Sequence, residues 1–294
     1  MDNRARRERW AHYLETSMTP ATRPAPGWGL TLYAGGGDPS GDSRGLVLVE
    51  AHKPPLVGLH CASVHLVAGA AAVRKVHPTA RLWAGLGVDG IAKAIRAGTQ
   101  TVAQGVATMR EAGHRAAEAG CEVAVWDPEG AQEAPATTTL HTGLEQLARE
   151  GLAAVANDHP TLVQGFTSFD HPTVQGPFPW DAWLGAESPV ALQLPQVYEG
   201  YARAPGGPLR TEAQLRGRLA TSRASMATGV RLQGIRADLG TGAGVGIYLQ
   251  AHDVDGHGTA NVAREVVRAG GWCLLWPPAA AEGVVAVLDL AGGT

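Results

Sequence analysis

Residues Pro55–Gly87 read PLVGLHCASVHLVAGAAAVRKVHPTARLWAGLG. Two short apolar runs, Leu56–Ser63 and Ala80–Gly87, enclose a longer Ala-rich stretch of helical character. The same layout continues downstream. Short strand-like runs recur at Glu122–Trp126, Thr161–Phe169, Val190–Tyr198, Val245–Ala251 and Trp272–Trp276. Helical segments lie between them, clearest at Asp89–Ala119, Thr139–Ala156, Thr211–Thr228 and Thr259–Ala269. Strands that are apolar throughout, each followed by a helix, predict a parallel sheet covered on both faces. Seven runs, with an eighth available from the N-terminal region, fit a closed α/β barrel of the (β/α)₈ kind better than an open doubly wound sheet.

Ahead of this repeat, residues 1–20 read as a short amphipathic helix carrying Trp10, Tyr13 and Leu14. Pro20, Pro24 and Pro26 end it, since proline removes a donor and restricts the residue before it. Two short strand candidates, Leu30–Tyr33 and Leu46–Glu50, flank the loop Gly35–Asp42. That loop is Gly-rich but is followed by no Lys-Ser/Thr pair, so it does not make a nucleotide cradle. The expected organisation is an N-terminal helix-and-loop extension over 1–54 and one barrel domain over 55–294.

Composition narrows the function. The chain has 294 residues, 45% hydrophobic and 17% charged, as in a folded globular protein. Its net charge of −3 offers no global attraction for a polyanion, so nucleic acid is not an expected partner. No stretch approaches the roughly 18 consecutive apolar residues of a membrane span. The charged start MDNRARRERWAHYLETS lacks the apolar region of a signal peptide, so cytoplasmic synthesis without one is expected. Cys61, Cys121 and Cys273 are widely spaced within apolar runs, which predicts free, buried thiols.

Chemistry-bearing residues collect where strands end, which in βα barrels is the active face. Val123–Gly130 reads VAVWDPEG. Asp127 and Glu129 stand two apart and share a side if the strand is still extended there, so that one carboxylate raises the pKa of the other. Asp-Pro and Glu-Gly are also ordinary turn dipeptides. In Leu192–Glu199, LQLPQVYE, Gln196 and Tyr198 at i and i+2 would bring an amide and a phenol to the barrel mouth. Trp276, ending WCLLW, offers either a flat floor for a sugar ring or core packing. His252, Asp253, Asp255 and His257 are metal-ligand types, but neighbours on one irregular loop do not converge easily, and no metal or other cofactor is expected. His60 is expected to line the barrel end. Ser168, near Asp170 and His171, lies in no Gly-x-Ser-x-Gly turn.

Counted from the DPE run, the Gln-x-Tyr strand comes two later and the LLW strand four later. If DPE ends the fourth strand, these are the sixth and eighth; without an N-terminal strand, DPE falls on the third. The fourth-strand layout resembles the chitinase-like family 18 glycoside hydrolases and, more loosely, the family 25 lysozymes. FTSFDHP, PFPWDAWLG and LQLPQVYEG also look like a group of glycosidase-related barrels of bacteria and phages. The family 18 pattern D-x-x-D-x-D-x-E is matched at Asp127 and Glu129, whereas its earlier Asp positions hold Glu122 and Val125. The lysozyme-like acid of the first strand has no counterpart. The resemblance implies a hydrolase of an amino-sugar polymer such as peptidoglycan or chitin, with a polysaccharide as partner. Glu129 would be the general acid, Asp127 its tuner, Gln196 and Tyr198 the holders of the 2-substituent, and Trp276 the stacking platform. The incomplete acidic pattern supports an alternative: a non-catalytic structural component of a phage or phage-like particle, with protein partners and a particle-associated location.

Overall fold

A computed structural model describes residues 27–33, 37–128, 138–169, 178–198, 211–240, 247–250 and 272–276, with positions 261, 265, 266 and 268. The strands are β1 (Gly27–Tyr33), β2 (Leu56–His60), β3 (Arg81–Gly87), β4 (Val123–Asp127), β5 (Val163–Phe169), β6 (Val190–Tyr198), β7 (Ile247–Gln250) and β8 (Trp272–Trp276). They close in sequence order, and every neighbouring pair, β1 with β8 included, is parallel. The helices are α1 (Ser43–His52), α2 (Leu66–Val76), α3 (Asp89–Arg96), α4 (Val102–Glu118), α5 (Thr138–Asp158), α6 (Trp180–Leu184), α7 (Glu212–Leu232) and α8 (Ala237–Gly240). The expected (β/α)₈ architecture is therefore the one formed.

The barrel begins earlier than expected. Its first strand and first helix precede residue 55, so the boundary between extension and barrel moves to the start of β1. Leu46–Glu50, read as a strand, lies within α1. A short apolar run does not distinguish a buried strand from a buried helix turn. Here the Asp42 carboxylate accepts from the Gly45 amide at 2.9 Å and starts a helix. Leu48 and Val49 are buried while Val47 is 62% exposed, which is helical periodicity. The single segment expected over 89–119 is two helices. Gly98, at φ 69°, follows α3, and Thr101 opens α4 with a capping box in which Thr101 and Gln104 satisfy each other's backbone amides. Residues 1–20 lie outside the described residues, as does most of the helical segment expected at 259–269.

Alternation along the strands builds two cores. Leu56, Trp83, Val123, Val125, Val163, Leu192, Leu194 and Leu274 meet inside the barrel. Leu30, Leu32, Val57, Leu59, Leu82, Ala84, Trp126 and Phe166 face outward onto the helices, with Val73, Met109, Leu152 and Leu219 among their partners. Each fully buried aliphatic side chain contributes about 1.5–3 kcal/mol. The interior closes because glycines alternate with bulk. A Cβ on Gly29 would stand 2.5 Å from the Cβ and carbonyl oxygen of Leu56, so only hydrogen fits there.

The outer layer also explains the aromatic-rich PFPWDAWLG segment. Phe178, Trp180 and Trp183 are buried around Phe166, with ring centroids 5.8–6.3 Å from it. They are core, not a sugar platform. The three thiols are free and buried, as expected, and burial pushes Cys61 and Cys121 up to about 12.

Candidate active site

The last residues of the eight strands are Tyr33, His60, Gly87, Asp127, Phe169, Tyr198, Gln250 and Trp276. Counting in twos along each strand places all eight positions on the face that carries the interior core residues. These eight strand-end positions thus combine four aromatic residues, one histidine, one amide, one glycine and one carboxylate. In a parallel barrel this end is where ligands meet the chain.

Asp127 ends the fourth strand, which settles the strand count. Asp127 is half-buried, and its Oδ1 accepts from Gln196 Nε2 at 3.0 Å, joining the ends of β4 and β6. Gln196 is buried. The sequence reading brought both residues to the mouth but did not foresee that one holds the other. The backbone around them is pinned as well. Ser168 Oγ donates to the Pro128 carbonyl at 2.8 Å, and the Val88 amide donates to the Asp127 carbonyl at 3.2 Å. Ser168 is therefore an anchor for the chain leading into Glu129, and its hydroxyl is buried in that bond.

Glu129 itself lies outside the described residues, as do Asp170, His171 and the His252–His257 loop. Tyr198 and Trp276 are both register partners of Gln250, so the backbone brings β6, β7 and β8 to one level with these residues in line. His60 ends β2, separated from β8 by β1, and its imidazole lies over Gly85: Nδ1 is 2.7 Å from where a Gly85 Cβ would stand. Burial lowers the His60 pKa from 6.5 to about 4, so the ring is neutral at neutral pH. Among the described residues no group of three His, Cys, Asp or Glu side chains is placed to hold a metal ion.

The two departures from the family 18 pattern have structural roles. Glu122, before β4, takes Arg81 Nε at 3.0 Å on both carboxylate oxygens at the opposite end of the barrel. Val125 is fully buried in the interior core. Tyr33, Gly87 and Phe169 also end strand-like runs in the sequence, and Gln250 comes one residue before the end of another, but nothing in their local pattern marks them as sharing one mouth; strand register does that.

No protein-family model matches the sequence, and no curated protein matches it. Solved structures do match in fold. A family 18 chitinase from Cycas revoluta aligns with a TM-score of 0.60 at 10% identity, over 90% of this chain and 98% of that one. The active domain 2 of a thermostable chitinase from Pyrococcus furiosus aligns at 0.57 and 11% identity, over 94% and 99%. The fold is the (β/α)₈ barrel that these glycoside hydrolases share. An endo-beta-N-acetylglucosaminidase from Cordyceps militaris aligns at 0.51 and 10% identity, over 99% and 96%. At such identities the likeness of this glycosidase-like barrel to its neighbours is one of fold, and function is argued from the site.

Proposed function

We propose that this barrel hydrolyses a glycosidic bond in an amino-sugar polymer of the chitin or peptidoglycan type, with Glu129 as general acid. The observation that carries the reading is the Asp127–Gln196 bond at the end of the fourth strand, inside a ring of strand ends rich in aromatic residues. Sugar rings present apolar faces and a rim of hydroxyls. A site for them therefore needs flat aromatic surfaces and a few fixed hydrogen-bonding groups.

Asp127 is held by an amide and keeps one orientation. A carboxylate fixed two residues from Glu129 opposes ionisation of Glu129, which then retains a proton for the leaving oxygen. Gln196 acts here through Asp127, as a positioning residue. Tyr198 and Trp276, at one level of β6 and β8, are the residues assigned to the ring and its 2-substituent. A retaining reaction needs either a second carboxylate about 5–5.5 Å from the acid or the substrate's own acetamido oxygen as nucleophile, and this reading takes the second route, with Asp127 as the one carboxylate among the described strand ends. The fold neighbours support the substrate class: the Pyrococcus chitinase structure is complexed with chito-oligosaccharides and the Cycas chitinase with allosamidin.

The test is incubation of the purified protein with acetylated chito-oligosaccharides and with peptidoglycan, followed by measurement of new reducing ends. Product from either polymer is the expected result. A protein that neither binds nor cleaves any of them is not a glycosidase of this class.

A further inference from the structure

The rim of the mouth is uneven on one side, and the unevenness comes from β3. Its last two interior-facing positions are Gly85 and Gly87, which carry no side chain. They differ in what surrounds them. The space above Gly85 is taken by the His60 ring. Above Gly87 nothing among the described residues comes within 4 Å of where a Cβ would stand, and Gly87 is exposed although it ends a barrel strand.

Gly87 is the register partner of Asp127, and Gly85 is that of His60. The bare stretch of β3 therefore lies between the imidazole of β2 and the carboxylate of β4. Strands two apart in a sheet are separated by roughly 9–10 Å between backbones, and the His60 ring over Gly85 takes part of that span, so the open part lies over Gly87 beside Asp127. An opening floored by backbone and bordered by hydrogen-bonding side chains suits a ring with hydroxyl and amide substituents. Neither Gly87 nor Gly85 has positive φ, so the glycines are not there to permit a turn.

We infer that Gly87 is a specificity-determining position: its missing side chain opens the rim between His60 and Asp127, and the substrate chain crosses the mouth there, seating a sugar residue adjacent to the one being cleaved. The inference rests on the glycosidase reading and adds the path of the polymer to it. His60 borders the gap as an imidazole, which when neutral carries one donor and one acceptor nitrogen. Asp127 borders it on the other side as an acceptor. The rest of the wall is β3 backbone.

Filling the gap tests the path. Gly87→Leu would place a branched side chain in the open space beside Asp127, and Gly87→Ala a single methyl. The readout is KM for acetylated chito-oligosaccharides of increasing length, with the melting curve of each variant confirming the fold. The Leu variant should raise KM for a tetrasaccharide about tenfold more than KM for a disaccharide, and the Ala variant should show a smaller change of the same sign. A wild type that cleaves these substrates, with Leu and Ala variants that keep its ratio of KM values, overturns the path and leaves the glycosidase reading standing. Should Gly87→Leu not fold, the same ratio measured on Gly87→Ala decides. A wild type inert toward every length overturns both.

Discussion

Asp127 and Gln196, 69 positions apart in sequence, meet across the barrel mouth with Oδ1 3.0 Å from Nε2. The bond makes Asp127 part of a built arrangement rather than a turn residue. It also links two strands that are not neighbours, since β5 lies between them. A hydrogen bond to a charged group contributes about 1.5–3 kcal/mol. Gln196→Ala is expected to lower unfolding free energy by about that amount in urea titrations, and to reduce turnover more than substrate affinity. Turnover unchanged by this substitution would remove Gln196 from the positioning role.

Glu129→Gln keeps the shape of the side chain and removes its transferable proton. If Glu129 is the general acid, turnover falls by about 10²–10⁴-fold while oligosaccharide binding persists. Reducing-end assays and isothermal titration on the same preparation separate the two effects. Equal activity in wild type and variant would assign the acid elsewhere.

Behind the site, Trp126 Nε1 donates to Gln164 Oε1 at 2.9 Å, and Gln164 Nε2 donates to the Leu152 carbonyl at 2.8 Å. All of this is buried between the barrel wall and α5. Trp126→Phe leaves the Gln164 oxygen without its donor and should cost about 1–3 kcal/mol of stability. In a double-mutant cycle, Gln164→Leu combined with Trp126→Phe should cost less than the two single changes added. Strict additivity would mean that the bond contributes nothing.

Gly29→Ala is expected to destabilise by about 1–3 kcal/mol, because the new methyl meets the Leu56 backbone, which cannot rotate away. Gly41→Ala is the contrast: its Cβ would have nothing within 4 Å among the described residues, and its effect should stay within about 0.5 kcal/mol. Thermal melts of the two variants compare them directly.

His60 makes stability depend on pH. Its folded pKa, about 4, lies below the ordinary 6.5, so between these values the unfolded chain binds a proton that the folded chain does not. Stability from this group is complete above about pH 6.5 and is lost as pH falls toward 4. The ring is half-buried, which limits the loss to about 2–3 kcal/mol. His60→Asn should flatten the wild-type decline over that window in urea titrations at stepped pH. A variant with the wild-type slope would show that His60 titrates normally.

What the sequence determined by itself was the repeat. Apolar runs of strand length, separated by Ala-rich helical segments, leave a covered parallel sheet as the arrangement that buries both faces, and all seven runs found this way are strands of the barrel. Asp127, Tyr198 and Trp276 were legible as strand-end residues because each is followed in the sequence by a polar or proline-containing stretch. Leu46–Glu50 was misread because four apolar residues satisfy a strand and a helix turn equally, and the deciding Asp42 cap is a local hydrogen bond. Closure depended on β1 pairing with β8, a contact between opposite ends of the chain that local periodicity does not encode. The tertiary structure alone decided that Asp127 ends the fourth strand, that Gln196 holds Asp127, and that among the described residues Gly87 stands open while Gly85 is covered. Each of these is set by strand register, which depends on how side chains from distant segments share the barrel interior.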